Sequence, residues 1–186
     1  MTVFLILLEV YRYIGCASTA VVSYFRIISS GRERQRDTLI TSHIWLVMGA
    51  AFPLQASYIM LKGEKLPELW CIYAHAGIIV LAFGDTASCI MGKWYGHNKW
   101  RELSAKTQEG SSYFIIASSF AYYFVISTLH PHAMYIFLSV IFALIPTALL
   151  EGHTYQCDNL IVSVFFYSIL IFFFEFFKNL WHNQKI

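Results

Sequence analysis

Charge is scarce in this sequence. Asp, Glu, Lys and Arg make up 13% of its 186 residues, about half the share found in soluble domains, so the chain is not built for a water-facing surface. Its net charge of +2 is too small to point to nucleic acid. Paired cysteines are missing as well. Cys16, Cys71, Cys89 and Cys157 are scattered without a CxxC, and three of them lie in apolar stretches. Neither a disulfide framework nor a zinc site is indicated. The Gly-x-Ser-x-Gly elbow, GxGxxG, HExxH and the Walker A loop are all absent, which argues against a hydrolase, a dinucleotide enzyme, a zincin and a P-loop nucleotidase. There is no Asn-x-Ser/Thr sequon. Glu9 and Arg12 interrupt the apolar start, which has no basic n-region or small-residue cleavage site, so no cleaved signal peptide is expected.

What the chain has is grease in blocks. Hydrophobic residues are 58% of the total and aromatics 18%, with a mean hydropathy of +0.56. Long apolar runs alternate with short polar ones, the transmembrane pattern. Five blocks approach or reach the length needed to cross a bilayer: about 38–61, 69–92, 112–130, 133–150 and 160–180. A sixth, about 3–29, is broken by Glu9, Arg12 and Arg26 and reads as a tilted helix or a short span joined to an interfacial piece. The expectation is an all-α integral membrane protein, a polytopic bundle of about six transmembrane helices forming a single domain over 1–186.

If all six blocks span, the polar connections 30–37, 93–111 and 151–159 share one face. That face carries Arg32, Arg34, Arg36, Lys93, Lys99, Arg101 and Lys106, seven basic residues against four (Lys62, Lys65, Lys178, Lys185) opposite. Positive loops are retained inside, so the first face is expected to be cytosolic. Every chemically interesting loop then lands on that side.

Three constellations stand out. Asp85 interrupts an apolar block, where an ionised carboxylate costs a few kcal/mol and therefore normally faces a partner or a wet cavity. Gly84, Ser88 and Gly92 recur beside it every four residues, a strip that allows another helix to approach closely. Asp85 reads either as a metal ligand or as an acid paired with a lysine for structure. The loop that follows combines Gly92, Gly96 and Gly110 with Lys93, Lys99, Arg101 and Lys106 and with the hydroxyls of Thr107, Ser111 and Ser112. With a helix beginning near Ser111 or Ser112, its free N–H groups would complete a phosphate cradle; the alternative is a basic loop that only holds topology. The third is EGHTYQCDN, 151–159, where Glu151 and Asp158 bracket a polar turn. Carboxylate and amide oxygens suit Mg²⁺, although a solvated hairpin would look the same. Weaker candidates read as structural. His43 reads as a hydrogen-bonding partner of a neighbouring helix before a substrate contact, His75 as a satisfied histidine, Glu175 snorkels beside Lys178, and the Phe and Tyr stripes are packing or lipid-facing surface.

Taken in order, RERQRDTLITSHIWLVMGAAFPL, FGDTASCIMGKWYG, AKTQEGSS and LLEGHTYQCDNLIVSVF resemble the carboxy-terminal half of dolichol kinases, in the polyprenol kinase family. The resemblance covers about residues 32 to 170, and its specificity lies in the ordered set of motifs rather than in any one. It implies phosphorylation of dolichol, a long-chain polyprenol, at the cytosolic face of the endoplasmic reticulum membrane, with CTP as co-substrate and Mg²⁺ or another divalent cation. By the same resemblance Gly92, Lys93, Gly96, Lys99, Lys106, Thr107, Glu109 and Gly110 would bind CTP. Asp85 and Asp158 would hold the metal, and Asp85, Lys106, Glu151 and Asp158 would carry the catalysis. The family often has two lysines before the threonine, whereas here Ala105 precedes Lys106; Cys157 stands where an asparagine or an apolar residue is more usual. Family members also generally have many more helices ahead of this region. The alternatives are a phytol or other prenol kinase, a phosphatidate cytidylyltransferase (whose RxxKD and GGxxDRxD end is missing), or a non-catalytic membrane paralogue.

Overall fold

The computed structural model describes residues 42–60, 67–102, 104–129, 134–154 and 158–183, together with helical Ile6, Leu7, Val10, Thr19 and Ser23. The expected loop 30–37, nearly all of the 3–29 block, Cys16, Cys157 and the side chains of His43 and Asp158 lie outside the described residues. The chain divides into two compact units, Met1–Met48 and Gly49–Ile186. The second unit carries all of the candidate site residues.

Among the described residues the protein is helical, with a single isolated β-bridge in a loop. Helix α1 runs Ser42–Met60 and α2 Pro67–Ala74. Helix α3, Ala76–Tyr95, is interrupted by a π-helical segment over Val80–Asp85. Helix α4 is Gln108–Leu129, α5 Met134–His153 and α6 Asp158–Asn183. The five apolar blocks from about residue 38 onward therefore appear as helices among the described residues, with shifted ends. The 69–92 block is two helices that break at His75, whose ring Nδ1 lies 2.6 Å from the Cys71 carbonyl oxygen. Among the described residues three helices are long and apolar enough to cross a membrane: Ala76–Tyr95, Met134–His153 and Asn159–Trp181. Helix α4 is long enough, but serines and tyrosines dilute it.

Burial follows the helical stripe. On α5 the buried positions Ile136, Val140, Ala143, Leu144, Thr147, Ala148 and Glu151 recur at three- and four-residue spacing, the period of one helix face. They meet Val162, Phe166, Leu170 and Phe174 of α6 and Phe114, Tyr122 and Ile126 of α4. The stripe continues without interruption into Glu151, so the fold takes that carboxylate into the protein as it would a leucine. The outward faces are apolar too. Ile116, Phe120 and Phe172 are each at least 60% exposed, as expected where the surrounding solvent is lipid rather than water.

Helix α3 approaches its neighbours through glycines. A Cβ added at Gly84 would sit 2.5 Å from Ser118 Oγ and 2.8 Å from the Phe114 ring of α4. One added at Gly110 would sit 2.9 Å from the Ser88 carbonyl oxygen. The Gly84–Ser88–Gly92 strip is thus a contact surface for α4, as its spacing suggests.

Candidate functional site

Glycine also ends α3. Gly96 leaves the helix in an extended conformation, and its amide closes the last turn on the Gly92 carbonyl. The chain then doubles back on itself. Lys99 and Thr107 pair as an antiparallel bridge, the Trp100 amide donates to the Lys106 carbonyl (3.2 Å), and the Gln108 amide to the Asn98 carbonyl (2.8 Å). At the turn, the Ser104 hydroxyl accepts from the Lys106 amide at 3.0 Å. These bonds return Lys106 to the end of the bundle.

Helix α4 begins at Gln108, about one turn earlier than expected. Glu109 and Gly110 are therefore helical residues rather than loop. Thr107 occupies the N-cap position, where its buried Oγ1 accepts from the Gly110 amide at 3.1 Å. Glu109 stands in the first turn, favourable for a carboxylate at a helix N-terminus. Its carboxylate clasps Asn98, accepting from the backbone amide (3.1 and 3.2 Å) and from Nδ2 (2.9 Å). Its own backbone amide foremost, and then those of Asn98 and His97, hold its carboxyl below the ordinary value of 4.5.

The centre of the corner is an ion pair. Lys106 Nζ lies 2.8 Å from Glu151 Oε1, with side chains 15% and 4% exposed, and it also donates to the Glu151 carbonyl at 2.7 Å. The other carboxylate oxygen, Oε2, accepts from Ser111 Oγ at 3.4 Å. Glu151 is the last buried rung but one of the α5 stripe, not part of a solvated hairpin. A charge there is tolerable only because a lysine meets it.

Trp100 closes the arrangement. Its indole N–H donates to Ser111 Oγ at 2.9 Å. Its ring lies 4.9 Å, centroid to centroid, from that of His153. Gly152 gives it room: a Cβ there would sit 2.5 Å from the indole nitrogen. Sequence reasoning passed over Trp100 and Asn98 because neither is charged nor part of a known motif. The available signal was a tryptophan set in a polar, glycine-bounded loop.

The expected site residues divide in two. Gly92, Gly96, Lys106, Thr107, Glu109, Gly110 and Glu151 come together at this corner; Gly92 faces Thr107, and an added Cβ would be 2.9 Å from its hydroxyl. Lys93 and Lys99 are exposed beside it. Asp85 is half-buried at the end of the π segment, about 10 Å along α3 from Gly92 by helical rise. Asp158 is the first residue of α6. Among the described residues no three His, Cys, Asp or Glu side chains gather as a metal cage. Mg²⁺ does not need one, since it is commonly held by one or two carboxylates together with substrate phosphates and water. Asp85, on the loop-bearing half of α3, supplies a hard oxygen donor of that kind.

No protein-family profile and no solved structure matches the chain. Curated proteins do. It is 33% identical over 142 residues to a dolichol kinase of Arabidopsis thaliana, covering 74% of this chain and 24% of that one. It is 26% identical over 163 residues to the dolichol kinase of Mus musculus, covering 81% and 30%. It is 31% identical over 134 residues to a dolichol kinase of Schizosaccharomyces pombe, covering 72% and 25%. The chain spans about a quarter to a third of the length of these relatives. The likeness carried by the short motifs thus extends over most of this sequence, and it is a likeness to dolichol kinases.

Proposed function

We propose that this chain forms the phosphoryl-transfer corner of a polyprenol kinase, moving the γ-phosphoryl group of CTP to the terminal hydroxyl of dolichol. The observation that supports this most is the buried Lys106–Glu151 pair set against the Thr107-capped start of α4. It sets a fixed ammonium beside the N-terminal, positive end of the α4 dipole, which favours a phosphate group. Phosphoryl transfer asks a protein for positioning and charge more than for covalent chemistry.

In this reading the alcohol oxygen attacks the γ-phosphorus while the bond to the β,γ-bridging oxygen breaks, releasing CDP and dolichyl phosphate. Lys106 stabilises the charge gathering on the transferred group. Glu151 holds Lys106 in place, since both of its carboxylate oxygens are engaged. Asp85 and Asp158 are the carboxylates that would hold Mg²⁺, which would supply further neutralisation of the phosphates. The alcohol proton passes to whichever of these two carboxylates is not engaged by the metal. The prenyl chain lies along the apolar helices of a six-span bundle, with its hydroxyl at the cytosolic surface of the endoplasmic reticulum membrane.

Membranes carrying this chain, given labelled dolichol with CTP or ATP, test the proposal. Dolichyl phosphate formed with CTP, and reduced at least a hundredfold by Asp85→Asn, is the expected result, since displacing a reacting group costs about that much. Phytol accepted in place of dolichol would reassign the substrate. A wild-type chain with no CTP-dependent product would leave a non-catalytic membrane subunit.

A further inference from the structure

We infer that Trp100 is the residue that positions Lys106, acting through the indole N–H, Ser111 and Glu151. The three groups that must agree for Lys106 to keep its place come from three separate elements: the returning loop, the first turn of α4 and the end of α5. Trp100 touches all three. Its backbone amide holds the Lys106 carbonyl at 3.2 Å. Its indole nitrogen holds Ser111 Oγ at 2.9 Å. Its ring packs on Gly152 and against His153, the two residues that come after Glu151.

Donor and acceptor roles give this contact a direction. An indole N–H can only donate, so Ser111 must present a lone pair to it and aim its own proton elsewhere. Two acceptors stand 3.4 Å away, Glu151 Oε2 and the Thr107 carbonyl. Both belong to the same corner. Glu151 Oε1 is thereby left for Lys106 Nζ at 2.8 Å. Removing the indole N–H, but not the ring, frees Ser111 to rotate and loosens the carboxylate that anchors the lysine. Gly152 fits the same role, because only a glycine lets the indole lie this close to the end of α5.

The catalytic consequence rests on the kinase reading; the positioning does not. The test uses an amine-acylating reagent on the chain in membranes, with mass spectrometry reading Lys106 against the exposed Lys93 and Lys99. Trp100→Phe should raise acylation of Lys106 about three- to tenfold, the worth of one hydrogen bond, with Lys93 and Lys99 unchanged. Glu151→Gln marks the response of a released lysine. Trp94→Phe, at a tryptophan 73% exposed on α3, should change nothing. Ser111→Ala keeps the ring and removes only the relay. It should act in the same direction, and the double variant should be no worse than either single one. Lys106 acylation that stays at wild-type level in both Trp100→Phe and Ser111→Ala, while Glu151→Gln raises it, overturns the inference. With CTP and prenol, Trp100→Phe should lower kcat and leave KM for the prenol alone. A wild-type chain without transferase activity would remove the kinase reading, yet the acylation result would still decide the part played by Trp100.

Discussion

Helices α3 and α4 meet differently from α5 and α6. The first pair touch through glycines and hydroxyls, with Gly84 against Ser118, Gly110 against the Ser88 carbonyl and Gly92 against Thr107. The second pair touch mainly through rings: Phe142 lies 5.7 Å from Phe173 and 5.2 Å from Phe177, and Tyr135 lies 5.8 Å from Phe174, with one hydroxyl contact from Ser139 Oγ to the Phe173 carbonyl at 3.3 Å. In lipid there is no hydrophobic force to pull helices together, so both interfaces rely on contact. Contact at a glycine leaves no side chain to adjust and so fixes position closely. Ring contact fills volume and can slide. The polar corner is attached to the rigid interface, and that is where a fixed lysine belongs.

The largest effect is expected at the ion pair that ties the two halves together. Lys106→Met alone leaves Glu151 charged and buried and should cost about 3–5 kcal/mol, read as loss of folded protein on detergent extraction. Adding Glu151→Leu should recover most of that stability but no phosphoryl transfer. Recovery of both would remove the lysine from the chemistry.

Next comes the contrast between the interfaces. Gly110→Ala drives a methyl into the Ser88 carbonyl and should cost about 1–3 kcal/mol, as overpacking does. Phe142→Leu, at the ring interface, should cost less than about 1.5 kcal/mol. Thermal unfolding of the two variants in one detergent compares them directly, and equal losses would erase the distinction between rigid and sliding contact.

The smallest effect concerns the Glu109 clasp. Its carboxyl is held below the ordinary 4.5, so the folded state binds its proton less readily than the unfolded state does. The stabilisation is complete above about pH 4.5 and fades as pH falls through the lower folded value. Protection of the Asn98 amide, its exchange relative to the intrinsic rate at each pH, should fall across that acid range in the wild type. In Glu109→Gln that protection should already be low at neutral pH and change little with acid.

Much of the fold was legible in the sequence because its signals are local. Apolar runs marked the helices, and the Gly84–Ser88–Gly92 spacing marked the contact face for α4. Glu175 and Lys178 do pair, at 3.7 Å. The start of α4 was misplaced because Glu109-Gly110-Ser111 has turn-like composition. The better signal was Thr107, a capping residue with an acid two positions later. The ion pair was out of reach, since its members are 45 residues apart and each looked like a group meant for a ligand. Glu151 looked like loop because a polar run comes after it. The i, i+3, i+4 stripe from Ile136 onward was the clue that it would be buried.

The π segment has a consequence for direction. Gly77 and Gly84 are seven residues apart, a spacing that would put them on nearly the same side of an unbroken α-helix. Here Gly77 meets Gly49, Ala50 and Pro53 of α1, whereas Gly84 meets Phe114 and Ser118 of α4. The wider turns over Val80–Asp85 advance the chain by less rotation per residue, so the helix leaves them out of phase with its beginning. One rod thereby faces two neighbours in succession, and Asp85 is the residue at which the new phase begins.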